Sequence, residues 1–508
     1  MLEKPDGIES IIDQDTKERR QKKILIIGIV IGGVLIAGGV LCLILYLAGV
    51  FEPSPVKGQI LCTYSIGNAK EINILGENFG GLSTVEIYYK DKKIEKSTKF
   101  TFDEDGDQVL RFDVLGDLNM SYMYQNVTEL KKVVMTSEKE KGKITSMIST
   151  FEECILLEGL SLSGFNMDSV ESITRAFYGT KIDITQIEGL DTKNIKDMSY
   201  MFAFSTSNSL DLTKINTNQA TNMSYMFYEC NYLETLNIAN INTQNVVDMS
   251  HMFEGCNDLK ELKLENLEHF DTSKVTTMES MFKDMYLIED LDLSKFNTEK
   301  VESISFIFSN CYKLKNLSLP PFNNLIDIKG AFQTCGGLTS LSLSQLKTNK
   351  VVDMSFLFEG CYTLESIDFA NFDTTQVTMM KKMFKDCHAL KSLSVKNFQT
   401  SNVNHMGHMF ENCKSLESLD LTSFSTENVK DMDKMFSGDG YMKTLDLTTF
   451  NTLNCERFKS IMDNCVNLTV SLKNSTTSNI IDEIPKYVTI NYVDQDYLDL
   501  YELFDLFQ

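Results

Sequence analysis

Nine of the twelve cysteines recur at one place in the chain, three residues after an anchor that is almost always aromatic: Cys154, Cys230, Cys256, Cys311, Cys335, Cys361, Cys387, Cys413 and Cys465. A thiol at regular spacing can bind a soft metal, pair into a disulfide or fill a compact buried slot. Metal binding needs paired ligands at short local spacing, and the sequence contains none. Val127, Thr180, Ser205 and Met285 hold the same slot elsewhere, so the position selects a small or apolar side chain rather than sulfur. The sequence predicts a ladder of buried free thiols, with disulfides between neighbouring repeats as the alternative. Cys455 stands where other repeats have Val, Cys42 falls in an uncharged run, and Cys62 has Cys154 as its candidate mate.

Other reactive residue types are sparse. Of five histidines, His251 and His408 share one repeat position, where Tyr200, Tyr225, Lys382 and Lys434 stand elsewhere, and this reads as an exposed slot on a helix. No Ser, His and Asp set falls in one region, and no glycine-rich loop follows a strand to cradle phosphate. Asp103-Glu104-Asp105-Gly106-Asp107 has the look of a calcium loop but places Val114 where the closing Glu belongs, so a hairpin turn is the better reading. The sequence therefore argues for no catalysis, no cofactor and no metal. Six Asn-x-Ser/Thr sites, Asn119, Asn126, Asn222, Asn316, Asn467 and Asn474, are candidate N-glycosylation sites.

What must position the cysteines is a repeat. Its anchors are Tyr124, Phe151, Phe177, Phe202, Phe227, Phe253, Phe282, Phe308, Phe332, Phe358, Phe384, Phe410, Phe436 and, degenerately, Met462, with most gaps at 25 or 26 residues. Such a period means a solenoid, with function on a surface rather than in a central pocket. Around Phe358 the apolar residues Val351, Met354, Leu357, Phe358 and Cys361 step by three and four, which predicts a short helix. Leu364, Ile367 and Phe369 then switch toward the period of a strand. Pairs such as Asp373-Thr374 and Asn451-Thr452 are suited to cap the next helix. The predicted fold is an α/β solenoid, a leucine-rich-repeat-like array of about fourteen 26-residue units, each a short helix plus a short parallel strand.

The phrase Asp-Thr-x-x-Val-x-x-Met-Ser-x-Met-Phe-x-x-Cys-x-x-Leu-x-x-Leu-x-Leu, matched at Asn242 to Leu264, Asp373 to Val395 and Ser425 to Leu447, resembles the repeat of the BspA-like leucine-rich repeat surface proteins. The resemblance covers 117–472. It implies a surface-exposed protein acting through adhesion and binding, and it assigns no site, because the residues it fixes are core residues.

Flanking segments complete the predicted organisation: 1–23 a cytoplasmic tail, 24–48 a transmembrane signal anchor, 49–56 a linker, 57–116 a small β-rich domain or cap, 117–472 the solenoid and 473–508 a C-terminal cap. Ile24 to Ala48 is uncharged and long enough to span a bilayer, and Lys17, Arg19, Arg20, Lys22 and Lys23 precede it, so the basic side is expected to stay in the cytoplasm. A cleaved signal peptide is the competing reading. Six basic and six acidic residues cancel within 1–23, which leaves the whole net charge of −23 on the C-terminal side of the anchor. An acidic ectodomain is a poor partner for nucleic acid.

The expected partners are thus the membrane, crossed once, and an extracellular protein or glycan ligand. The middle residues of successive Leu-x-Leu strands form a candidate ligand face: Asp211, Asn237, Lys263, Asp292, Asp368, Asp420 and Asp446. Two irregular repeats offer alternatives, one lengthened by Glu265-Asn266-Leu267-Glu268 and one containing Pro320-Pro321. The functional expectation is a membrane-anchored cell-surface binding and adhesion protein. Its alternative is a structural coat that self-associates laterally, with Gly28, Gly32, Gly33 and Ala37 as small contact residues in the anchor.

Overall fold

The computed structural model describes residues 56–67, 71–137, 142–264 and 268–493. The segments expected to be a tail (1–23) and an anchor (24–48), nearly all of the expected linker, and the acidic end from 494 lie outside the described residues. Among the described residues no helix is long and apolar enough to cross a membrane. The chain divides into two units, Met1–Lys57 and Gly58–Gln508, of which the second holds the β-rich region and the repeats.

Each repeat places its apolar side chains inward. Around Phe358, the residues Val351, Met354, Leu357, Phe358, Cys361 and Leu364 are all fully buried, as are their counterparts in neighbouring repeats. The anchors form one column through the core. Thirteen rings, from Tyr124 to Phe436, stack in sequence with centroids 5.5 to 6.1 Å apart and planes within 25° of parallel. Stacked aromatic pairs add roughly 0.5–1.5 kcal/mol each beyond their area burial. Short parallel strands stack alongside, including Ser209–Asp211 on Thr235–Asn237, Asp290–Asp292 on Asn316–Ser318, and Ser340–Ser342 on Ser366–Asp368.

The helix predicted in each repeat is absent, and the fold is a β-solenoid rather than an α/β one. Among the described residues the single α-helix is Asn474–Thr477, outside the regular repeats. The reason lies in two backbone positions. In every repeat the residues two before and two after the anchor have positive φ, as in Phe356 (64°) and Gly360 (74°), Tyr225 (59°) and Glu229 (55°), or His408 (61°) and Asn412 (61°). A left-handed residue every fourth position cannot be accommodated in a right-handed helix. The segment is instead a run of tight turns. Glu359 and Cys361 donate their N–H groups to the carbonyls three residues back, at 3.1 Å each. The N–H groups of Met354, Phe356, Phe358 and Gly360 donate to the next repeat, at 2.8 to 2.9 Å. Side chains three and four apart still turn inward, which is why the spacing imitates a helix.

The Asx-Thr pairs also do something other than cap helices. Asp373 accepts the N–H of Thr375 (2.9 Å) and so forms a local turn. Buried Thr374 donates its hydroxyl to the Gln399 carbonyl (3.0 Å) and accepts the Gln399 N–H (2.7 Å) in the next repeat. Thr217, Thr348, Thr400 and Thr426 repeat that reciprocal pair. A buried rung of hydroxyls thereby satisfies backbone groups that would otherwise be orphaned.

The N-terminal β-rich region joins this stack directly. Its sheet runs in the order Gly159–Ser161, Leu130–Thr136, Gly58–Ile66, Gly106–Val114, Val85–Tyr89, Lys92–Lys93. The first two strands come from the initial repeats, and their pairing is parallel while the remaining four pairings are antiparallel. The first turn of the solenoid is therefore covered by hydrogen-bonded sheet. The hairpin turn expected at Asp103 is instead a bend linking two sheets, because Lys99–Thr101 before it pairs with Glu71–Asn73 while Gly106–Val114 after it pairs with Gly58–Ile66 and Val85–Tyr89. Lys90 pairs with Asp103 and Glu104 at 2.9 Å.

Candidate functional site

The recurrent cysteines are buried and free, as are all eleven described ones. Each thiol of the ladder donates to the carbonyl of the anchor one repeat earlier: Cys361 to Phe332 (3.1 Å), Cys387 to Phe358 (3.2 Å), Cys465 to Phe436 (2.9 Å). Burial pushes the Cys230 and Cys361 thiols up to about 12, far from the thiolate that nucleophilic or metal chemistry requires. Cys62 is not paired with Cys154. Its sulfur lies 3.2 Å from the Tyr124 hydroxyl, and Cys154 donates to the Tyr124 carbonyl. Among the described residues no group of three or more His, Cys, Asp and Glu side chains is arranged to hold a metal.

One rung of the ladder carries an acid. The repeat of Phe436 has Asp439 three residues on, fully buried between Cys413 and Cys465, and neither carboxyl oxygen has a hydrogen-bond partner. Burial pushes its carboxyl well above the usual range, and nearby Glu411 adds to the shift. His251 and His408 are half-buried in left-handed turns, not exposed on helices. His408 Nδ1 sits 2.9 Å from Glu411, and His251 contacts Glu254 and stacks on Tyr225 at 4.2 Å, which stacks on Tyr200.

The row at the strands lies on the outer side of the sheet, but most of its members are engaged. Asp211, Asn237, Asp292, Asp368, Asp420 and Asp446 each accept the backbone N–H two residues on, at 2.9 to 3.2 Å, and so turn the chain as it leaves the strand. Hydrogen bonds from Thr213, Ser294 and Thr422 hold the carboxyls of Asp211, Asp292 and Asp420 low. Two members of the row, Lys263 and Asp292, meet in a groove.

That groove has a volume of about 650 Å³ and is lined by Lys260, Glu261, Leu262, Lys263, Leu287, Glu289, Asp290, Asp292 and Lys313. It lies where the strand ladder is interrupted: 261–264 forms no strand, between Thr235–Asn237 and Asp290–Asp292. This is the lengthened repeat, of whose extra residues only Glu268 is described. Lys263 pairs with Glu261 (2.6 Å) and Glu289 with Lys315 (2.9 Å), while Lys260 and Lys313 have no ion-pair partner among the described residues. The volume falls within the roughly 300–1,000 Å³ typical of ligand sites. Its lining combines apolar Leu262 and Leu287 with charged donors and acceptors. Sequence reasoning had one signal for it, the 29-residue gap between Phe253 and Phe282.

The six candidate glycosylation sites differ in access. Asn119, Asn126, Asn316 and Asn467 are exposed, although Asn316 donates its amide to Asp290. Asn222 is half-buried, with its oxygen accepting from the N–H and hydroxyl of Ser224 at 2.9 and 2.7 Å. Asn474 opens the short helix and is half-buried.

A family model described as "Mycoplasma protein of unknown function, DUF285" matches residues 118–237, 145–262, 230–336, 315–418 and 391–496. Among solved structures, a leucine-rich repeat protein from Bacteroides ovatus is similar at 17% identity, covering 58% of this chain and 86% of its own, with a TM-score of 0.32. A structure described as a TDR receptor is similar at 12% identity, covering 75% of this chain and 81% of its own, with a TM-score of 0.20. No curated protein matches the chain.

Proposed function

The chain belongs to the family described as Mycoplasma protein of unknown function, DUF285, and since that description assigns no activity we propose one from the geometry: a cell-surface binding and adhesion protein whose solenoid is the support and whose groove at Lys260 to Lys313 recognises the ligand. The observation that carries this reading is the direction of the recurrent side chains. Cysteines, anchors and threonines are turned inward and engaged with backbone, so they supply no reactive group, and this favours a binder over an enzyme. The groove lies at a break in the strand ladder and gathers both signs of charge beside Leu262 and Leu287. A surface location is supported by the uncharged run 24–48 with its basic flank, which would anchor the chain once in the membrane with 1–23 in the cytoplasm and the solenoid outside. The BspA-like character of the repeat adds to the adhesion reading. The ligand is an extracellular protein or glycan and not nucleic acid, because the net charge of −23 repels phosphate backbones.

The test is adhesion of cells displaying the full-length chain to host or neighbouring cells, compared with the variant Lys260→Glu/Lys313→Glu. Loss of attachment at unchanged surface abundance is expected. Equal attachment by both would overturn the placement of the site, and no attachment by either would overturn the adhesion reading. Sedimentation of the full-length protein in detergent separates the alternative, a laterally assembling coat, which would form large self-assemblies without ligand.

A further inference from the structure

Outside the groove, one row of the solenoid presents aromatic rings to solvent. The slot four residues after the anchor holds Tyr286, Tyr312, Gly336, Tyr362 and His388 in five consecutive repeats. Tyr286, Tyr312 and Tyr362 are 36%, 45% and 45% exposed, far more than the core rings. Neighbouring rings are close and inclined: Tyr286 to Tyr312 at 5.1 Å and 39°, Tyr362 to His388 at 5.2 Å and 48°. Inclined rings leave part of each face uncovered, unlike the parallel stack in the core. Gly336 leaves a notch between the two pairs, where a Cβ would meet the Tyr312 carbonyl oxygen at 3.5 Å and Tyr362 Cδ2 at 3.8 Å.

The row and the groove share two repeats. Leu287 and Lys313, both groove residues, directly follow Tyr286 and Tyr312 in sequence. Beside the rings, Asn310 donates to Asp284 at 2.7 Å, and burial together with the nearby Asp284 raises the Tyr286 and Tyr312 hydroxyls, so both phenols remain donors. Charge narrows the ligand. The lining has three lysines and four acidic residues, close to balanced, within a chain of net charge −23. A polyanion is repelled by the chain as a whole, and a polycation finds lysines in the groove itself. A neutral ligand rich in hydroxyls uses every feature. Its C–H groups, polarised by neighbouring oxygens, rest on the electron-rich ring faces, and its hydroxyls donate to the carboxylates and accept from the lysines. One ring per repeat also gives a spacing close to the length of a single pyranose unit.

We infer that Tyr286 and Tyr312, with the groove between Lys260 and Lys313, bind a neutral glycan chain, one sugar ring per exposed tyrosine. This rests on the binding-protein reading above and names its ligand class.

The experiment is calorimetric titration of the full-length protein in detergent with cellohexaose, maltohexaose and chitohexaose, and with an oligogalacturonate as the charged counterpart. At least one neutral hexaose is expected to bind saturably and with little dependence on salt. Tyr286→Ala/Tyr312→Ala should weaken it by about tenfold or more while leaving the melting temperature in place, as both rings are exposed. Binding of the oligogalacturonate alone, binding indifferent to the double variant, or no binding of any neutral hexaose would overturn the inference. If no hexaose binds while Lys260→Glu/Lys313→Glu abolishes cell attachment, the ligand is a protein and only the glycan assignment falls. If the attachment is equally indifferent to that variant, both readings fall.

Discussion

Asp439 shows what a single side chain can reveal about a repeat. It occupies the rung that nine other repeats give to cysteine, fully buried and without a hydrogen-bond partner for either oxygen. Burial opposes ionisation of its carboxyl in the folded chain, whereas the unfolded chain ionises it above about pH 3.9. The stability this group allows is therefore fully present below that pH and is lost as pH rises toward the folded value. Glu411, which faces it, opposes its ionisation further, while Lys385, His408 and Lys434 are occupied with Glu411. Replacing it by the ladder's own residue, Asp439→Cys, sets a thiol opposite the Phe410 carbonyl. The variant should be more stable by roughly 1–3 kcal/mol at neutral pH, with a smaller gain in acid, as measured by thermal melts across pH. A wild-type-like melt at neutral pH would show that Asp439 has found a partner. Phe358 sits in the middle of the aromatic column, so Phe358→Ala is expected to cost about 3–5 kcal/mol, and an unchanged denaturation curve would remove it from the core.

The turn-rich segment is the element that sequence periodicity described least well. The burial of Val351, Met354, Leu357, Phe358 and Cys361 was legible, because spacing decides which side chains share a face. Their conformation was not, because a helix and a run of alternating turns both return to one face after three or four residues. The information was nonetheless present two residues beyond each anchor. Asn126, Gly179, Gly255, Asp284, Asn310, Gly360, Asp386, Asn412, Gly438 and Asn464 are the residue types that tolerate positive φ. Thr334 in that slot, at φ 58°, is a β-branched residue in a conformation it disfavours. Thr334→Gly should therefore stabilise the protein by roughly 1 kcal/mol, whereas in a helix the same change would destabilise it by a similar amount. A chemical denaturation curve reads the sign directly. The groove was only partly legible. An irregular gap marks the repeat where strand pairing lapses while the core rings stay stacked, but which side chains converge there depends on three repeats at once, and only Lys263 and Asp292 of the expected strand row take part.

Across the whole chain the thiols give a measure of integrity. All eleven described cysteines are buried and unpaired, so thiol labelling of the native full-length protein should modify at most Cys42, and labelling after denaturation all twelve. Early modification of the ladder, or a mobility change on omitting reductant, would contradict the buried free-thiol arrangement. The hydrogen bonds that join repeats have a further consequence, mechanical rather than chemical. Those bonds and the stacked rings connect one repeat to the next. Tension along the stack therefore loads a few weak links at a time instead of a whole sheet in shear. Peeling one repeat of about 26 residues releases roughly 85–90 Å of chain. A protein fixed at its N-terminus and held at the groove would yield by unspooling the repeats between those two points in nearly equal steps, a spring that lengthens many-fold before its grip is asked to fail.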